Sequence, residues 1–347
     1  MQIGNYKETY AADEAVFSTP TSRFWLGLLL AALAVFPFVA GDYMLYMANL
    51  TGVAIIGAVG LNILTGAAGQ ISLGHAAFIG IGAYSTALLT TRLGLPFWIC
   101  LPLSGLLSAF FGVIVGAPSM RMKGLYLCIA TLAAQMIFMF LFVHWESLTG
   151  GIRGINVPPA EFFGIKLNTE FRLYFVTVPV MVILVAAARN LFRTRVGRAF
   201  IAIRDRDISA ELMGINLFRY KLYAFAASSF YAGVAGCLDA YLLKVVTPEH
   251  FPLHESVRYL AMIIVGGLGS VLGSIFGAIF MTMVPEVLQS ILGLFAGLSD
   301  KLMSFLFPLQ TVVFGLLIVL FLVFEPHGLA EMWRRLKDYF RLWPFEY

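Results

Sequence analysis

Apolar runs of about twenty residues recur along this chain, and that recurrence leaves few folds open to it. They lie at about 24–40, 43–64, 72–91, 95–117, 124–145, 173–188 and 222–243, followed by a glycine-crowded apolar stretch over 257–294 and a last run over 304–324. Each full run is long enough to cross a hydrocarbon core of about 30 Å as a helix. Lipid offers no partner to main-chain amides, so spanning segments must be helices or a closed barrel. A barrel would alternate polar and apolar residues, and these runs do not. With 60% hydrophobic and 12% charged residues, the composition also excludes an ordinary soluble domain.

Basic residues set the orientation. Arg189, Arg193, Arg195, Arg198, Arg204, Arg206, Arg219 and Lys221 crowd the segment 189–221, which the positive-inside bias places in the cytoplasm. Counting spans backwards puts Arg121 and Lys123 inside, the loop 146–171 outside and the N-terminus inside. The tail carrying Arg334, Arg335, Lys337 and Arg341 should be inside as well, while 244–255 falls outside. An odd number of crossings must then separate Glu255 from Glu325, so the glycine-rich stretch supplies two, broken near Gly266-Gly267-Leu268-Gly269-Ser270. The result is an all-α integral membrane bundle of about ten transmembrane helices, some of them broken or glycine-rich, with both termini cytoplasmic. The expected divisions are a cytoplasmic lead over 1–22, a membrane domain over 23–328 and an amphipathic cytoplasmic tail over 329–347. In that tail Trp333, Leu336, Phe340 and Trp343 share a face.

The net charge of +4 is no nucleic-acid signal, because the basic residues gather at span ends and in one loop. Cys100, Cys128 and Cys237 sit in apolar runs without metal-ligand spacing and read as packing residues. Asp239 and Arg258 lie close to span ends and Glu286 follows Pro285, which makes no chain of ionisable groups of the kind ion-coupled transporters use. No Gly-Lys pair occurs, so a phosphate-binding P-loop is absent and the chain is not an ATPase.

The polar interruption 62–75, with Asn62, Thr65, Gly66, Gly69, Gln70, Ser72 and His75, separates two apolar runs. Its amide, hydroxyl and imidazole groups need partners that lipid cannot give, which marks a broken helix facing protein or solute. Ser72 is placed to cap the following helix, whose free amides would suit a carboxylate. Repair of the broken backbone is the plainer role for the same residues. Ile63-Leu64-x-Gly66-x-x-Gly69 is echoed by Ile263-Ile264-x-Gly266-x-x-Gly269, which suggests a parallel internal repeat and adds Gly266, Gly267 and Gly269 to the expected solute pathway. Gly269, Gly273 and Gly277, spaced by four, make a flat helix face for close packing. In the cytoplasmic loop, Asp207 can start a short helix that Gly214 ends in a left-handed turn.

The run from Asn62 to Tyr84, N-I-L-T-G-A-A-G-Q-I-S-L-G-H-A-A-F-I-G-I-G-A-Y, strongly resembles the signature of branched-chain amino acid ABC transporter permeases of the LivM and LivH type. The similarity continues through Lys123-Gly124-Leu125-Tyr126-Leu127, Leu148-Thr149-Gly150-Gly151, Gly197-Arg198-Ala199, Arg204-Asp205, Ala210-Glu211-x-x-Gly214-Ile215-Asn216 and Gly266-Gly267-Leu268-Gly269-Ser270. The Thr149-Gly150-Gly151 loop favours the LivM type. The resemblance implies the ABC importer permease fold and a multi-pass place in the bacterial inner membrane. It also implies a second, LivH-like permease, two cytoplasmic ATPase subunits that use ATP, and a periplasmic solute-binding protein. No cofactor or metal is expected on this chain itself. Arg204, Asp205, Asp207, Ala210, Glu211 and Gly214 fall where ABC importers carry the helix that couples to the ATPases, although Ser209 and Leu212 depart from the alanine-rich pattern. The alternatives are an ABC permease for urea or short amides, and an ion-coupled transporter or channel working without ATPases.

Overall fold

The computed structural model describes residues 20–342, apart from 120, 121, 123, 163, 164, 295–311, 313, 314, 317, 320, 322, 326 and 327. Most of the expected lead over 1–22, and most of the apolar run 304–324, lie outside the described residues. By its packing the chain divides into Met1–Met47 and Ala48–Tyr347. The first unit contains α1 (Pro20–Val39), which presents Phe24, Trp25, Leu29, Phe38 and Val39 outward, as a helix surrounded by acyl chains would.

Next come α2 (Asp42–Asn62), which runs on as a π turn over Ile63–Ala67, then α3 (His75–Leu93), α4 (Phe97–Ser119) and α5 (Leu125–His144). A loop containing the short strands β1 (Ile155–Asn156), β2 (Glu161–Phe162) and β3 (Ile165–Lys166) leads to α6 (Glu170–Arg193). Two short helices follow, α7 (Arg195–Asp205) and α8 (Asp207–Leu212), before the long α9 (Leu217–Leu243). Beyond β4 (Val245–Val246), which pairs antiparallel with β1, lie α10 (Leu253–Gly266), α11 (Val271–Leu294) and α12 (Leu329–Leu342). Five helical segments among the described residues are long and apolar enough to cross a membrane: Asp42–Ala67, Phe97–Ser119, Leu125–His144, Glu170–Arg193 and Val271–Leu288.

Helices α3 and α9 are buried against protein along most of their length. Gly236 of α9 packs so closely on α3 that a Cβ there would stand 2.0 Å from Ile79 O, and Gly233 meets Ser104 and Ser108 of α4 in the same way. Without an apolar driving force between helices in lipid, small residues that let backbones touch supply the dispersion energy instead. The glycine stripe behaves likewise. A Cβ on Gly277 of α11 would stand 1.8 Å from Met262 O, so the stripe packs against α10, its neighbour across the 267–270 turn. Helix α9 ends at Lys244 in a left-handed conformation (φ 64°), the only non-glycine residue with positive φ among those described. Its carbonyl accepts from Val157 N, which ties the α9 exit to the β1 loop.

Candidate functional site

The polar interruption opens with a π turn, after which residues 68–74 are non-helical and α3 begins at His75. Thr65 Oγ1 donates to Gln70 O at 3.0 Å and Gln70 N donates to Leu64 O, so the turn is closed on itself. The chain then doubles back along α2. His75 Nε2 donates to Gly57 O at 2.9 Å, and its ring meets Tyr259 edge-on with 5.4 Å between centroids.

What receives the amides of the new helix corrects one expectation. Ser72 Oγ accepts from Gly74 N, two residues on, and does not reach the first turn of α3. The amides of that turn are taken from farther away: Ala76 N donates to Ser256 Oγ at 2.9 Å and Ala77 N to Gln135 Oε1 at 2.7 Å. Ser256 Oγ also donates to Gln135 Oε1, and Gln135 Nε2 donates to Phe251 O. These two amides are therefore not free for a carboxylate. Because Gln135 lies halfway along α5, the starts of α3 and α10 meet at the mid-depth of that span, and 244–252 folds inward to reach it. Gln135→Leu is expected to leave Ala77 N and Phe251 O unpaired in an apolar interior and to destabilise the chain by about 2–5 kcal/mol. A thermal unfolding shift in detergent would measure the loss, with Gln135→Glu, which keeps the acceptor, losing less.

The two glycine motifs meet face to face. Asn62 Nδ2 donates to Ser270 O and its Oδ1 accepts from Gly269 N, both at 2.9 Å, so one buried amide clamps the α10–α11 turn. A Cβ on Gly66 would stand 1.8 Å from Asn62 Oδ1 and 2.4 Å from Gly269 N. The last glycine of each motif is left-handed, with φ 68° at Gly69 and 81° at Gly269, a conformation that favours glycine. Gly267 is covered by Gly328, just ahead of α12, where a Cβ would stand 2.6 Å from Gly267 N.

Arg204, from the last turn of α7, reaches this junction. Its Nη1 donates to Gly66 O at 3.0 Å, its Nη2 pairs with Asp205 at 3.0 Å, and its stem covers Gly69. Thr194 starts α7 by accepting from Gly197 N. Asp207 is the first residue of α8 and accepts from Ile208 N, Ala210 is buried, Glu211 is exposed, and Gly214 closes the helix with φ 85°. Around them Ile208, Leu212 and Met213 stand 68%, 85% and 86% exposed, an apolar knob on a charged loop.

The residues expected in the solute pathway and those expected to couple to a partner are therefore in contact through Arg204. Gln70 is buried with both side-chain amide atoms unpaired among the described residues, and it lines a cleft with Arg204 and Lys221. Sequence reasoning missed Gln135, Ser256, Thr131, whose Oγ1 accepts from Leu73 N, and Gly328. Only the apolar knob carried a readable signal, three apolar side chains in a short charged helix and the residue that ends it.

Residues 43–322 match the family described as branched-chain amino acid transport system / permease component. The chain is 33% identical over 341 residues to the high-affinity branched-chain amino acid transport system permease protein LivM of Salmonella typhimurium, covering 91% of this chain and 77% of that one. It matches the Escherichia coli LivM protein with the same identity and coverage. A probable branched-chain amino acid transport permease protein LivH of Methanocaldococcus jannaschii is 24% identical over 74% of this chain and 82% of its own. No solved structure matches. A chain of apolar helices whose two glycine motifs close on each other belongs, by the extent of these matches, to the branched-chain amino acid permease family.

Proposed function

We propose that this chain is one permease subunit of an ATP-binding cassette importer that carries branched-chain amino acids across the bacterial inner membrane by alternating access. The observation that carries the reading is the Arg204 bond to Gly66 O, a direct link from an exposed helix pair to the broken backbone. A partner that moves α7 and α8 pulls on the junction of two helix breaks, which are where a bundle can hinge. Asn62, Thr65, Gly66, Gly69, Gln70, Ser72, His75, Gly266, Gly267 and Gly269 then form the part of the pathway that rearranges. Arg204, Asp205, Asp207, Ala210, Glu211 and Gly214 form the coupling element.

In this reading the apolar knob of Ile208, Leu212 and Met213 enters a cleft on one of two cytoplasmic ATPase subunits. A second, LivH-like permease completes the pathway, and a periplasmic protein delivers the solute. The chain crosses about ten times with both termini cytoplasmic, binds no cofactor and hydrolyses nothing; ATP is used by the partners. The matches to proteins whose names specify branched-chain amino acid transport support the substrate class.

Reconstitution of the chain with its companion permease, ATPases and binding protein in proteoliposomes is expected to give leucine uptake that stops when ATP is removed. Uptake by this chain alone, persisting without ATP, would overturn the reading. In the complete complex, Glu211→Arg is expected to cut uptake at least tenfold, since a reversed charge at a docking surface costs several kcal/mol. The amount of chain in the membrane should not change, because Glu211 is exposed.

A further inference from the structure

A second polar feature lies away from the glycine junction, where α2, α3, α9, α10 and α11 enclose a cavity of about 150 Å³. Its walls include Val53 and Met262, and its polar side chains are Asp239, His250, Glu255, Arg258, Tyr259 and Thr282. Arg258 Nη1 lies 3.3 Å from Glu255 Oε1, and both side chains are largely withdrawn from solvent, 33% and 23% exposed. Asp239, also half-buried, forms no ion pair among the described residues. Thr282 is 3% exposed, and its Oγ1 has no hydrogen-bond partner among the described residues. A buried hydroxyl without a protein partner on the wall of a cavity can bond a molecule that enters it.

The charges specify what would fit. Arg258 is paired at contact distance with Glu255, and Asp239, which Arg258 reaches only through space, has no cation within ion-pair distance among the described residues. The Arg258 guanidinium has five N–H donors in a planar fork, and a single carboxylate does not exhaust them. A bare carboxylic acid would meet two like charges, while a bare amine would satisfy Asp239 but leave the spare Arg258 donors and Thr282 unanswered. A molecule with both groups answers all of them, and its aliphatic side chain would lie against Val53 and Met262. From this geometry we infer that the cavity is a binding site for the zwitterionic head of an α-amino acid with a small aliphatic side chain. Its ammonium meets Asp239 and its carboxylate meets Arg258 and Thr282.

This inference rests on the transport reading above and locates its solute in this chain, away from the glycine junction. The complete transporter in proteoliposomes tests it, with leucine uptake as the readout. Asp239→Asn is expected to raise KM or lower uptake roughly 10- to 100-fold, the loss of one charge-assisted hydrogen bond. Thr282→Val keeps the side-chain shape, guards against a misfolding artefact, and is expected to cost about 3- to 10-fold. In nanodiscs holding the full chain alone, labelled leucine should be displaced by leucine at least tenfold better than by leucinamide or 4-methylpentanoate, each lacking one charge. If the unaltered complex takes up leucine while both variants stay within twofold of it, the cavity assignment is overturned and the transport reading stands. Absence of uptake by the unaltered complex would overturn the transport reading itself.

Discussion

Gly66→Ala is expected to abolish leucine uptake and to lower the amount of folded permease in the membrane. The added methyl would stand 1.8 Å from Asn62 Oδ1 and 2.4 Å from Gly269 N, distances that real Cβ atoms do not reach. Neither neighbour can step aside cheaply. The first is the amide that clamps the 267–270 turn and the second is main chain. Relief requires breaking the clamp, which leaves Gly269 N and Ser270 O unpaired, so the cost should exceed the roughly 1–3 kcal/mol of ordinary overpacking. Gly27→Ala in α1, which meets nothing within 4 Å, is the control and should behave as the unaltered protein. Normal uptake by the Gly66 variant would mean that the two glycine motifs do not need to touch.

Arg204→Gln should leave the chain folded and disconnect its two halves of function. Arg204 is 38% exposed at its side chain, and its structural bonds are to Gly66 O and to the neighbouring Asp205, so little apolar packing is lost. Uptake should fall at least tenfold while ATP hydrolysis by the assembled complex continues. An Asn62→Ala and Arg204→Gln double-mutant cycle gives the sharper measurement. Both side chains act on the Gly66–Gly269 contact, so their effects on uptake should be non-additive, with a coupling of about 0.5–3 kcal/mol. Strict additivity would show that α7 does not act through the junction.

The apolar runs announced the helices almost to their ends, because lipid demands a continuous stretch of side chains of one character. The run 95–117, for instance, became Phe97–Ser119, and the glycine-crowded region over 257–294 became Leu253–Gly266 and Val271–Leu294. The interruption at 62–75, its echo at 263–269 and the Asp207 to Gly214 turn were also readable, since glycine and polar residues in such surroundings have local causes. What the sequence does not display is who partners whom. Gln135 looks like an isolated amide in a span, and Ser256 like a polar residue at a helix start. Only the fold brings them to the amides of Ala76 and Ala77. Ser72 misled for a related reason. Its hydroxyl had a nearer amide available at Gly74, and a two-residue turn needs less ordering of the chain than a cap. The cavity was concealed in the same way, because Asp239 and Arg258 lie on different helices and read separately as residues near span ends.

The relay centred on Gln135 also bears on how the protein is made. The amide of Ala76 waits for a hydroxyl 180 positions later in the chain, and that of Ala77 for a side chain 58 positions later. While the ribosome is still translating the stretch between Gln135 and Ser256, the Ala76 amide at the membrane-buried beginning of α3 has no partner of its own. Nascent chains truncated before Ser256 should therefore hold this helix loosely beside the insertion machinery, open to protease, and lock it only when α10 arrives.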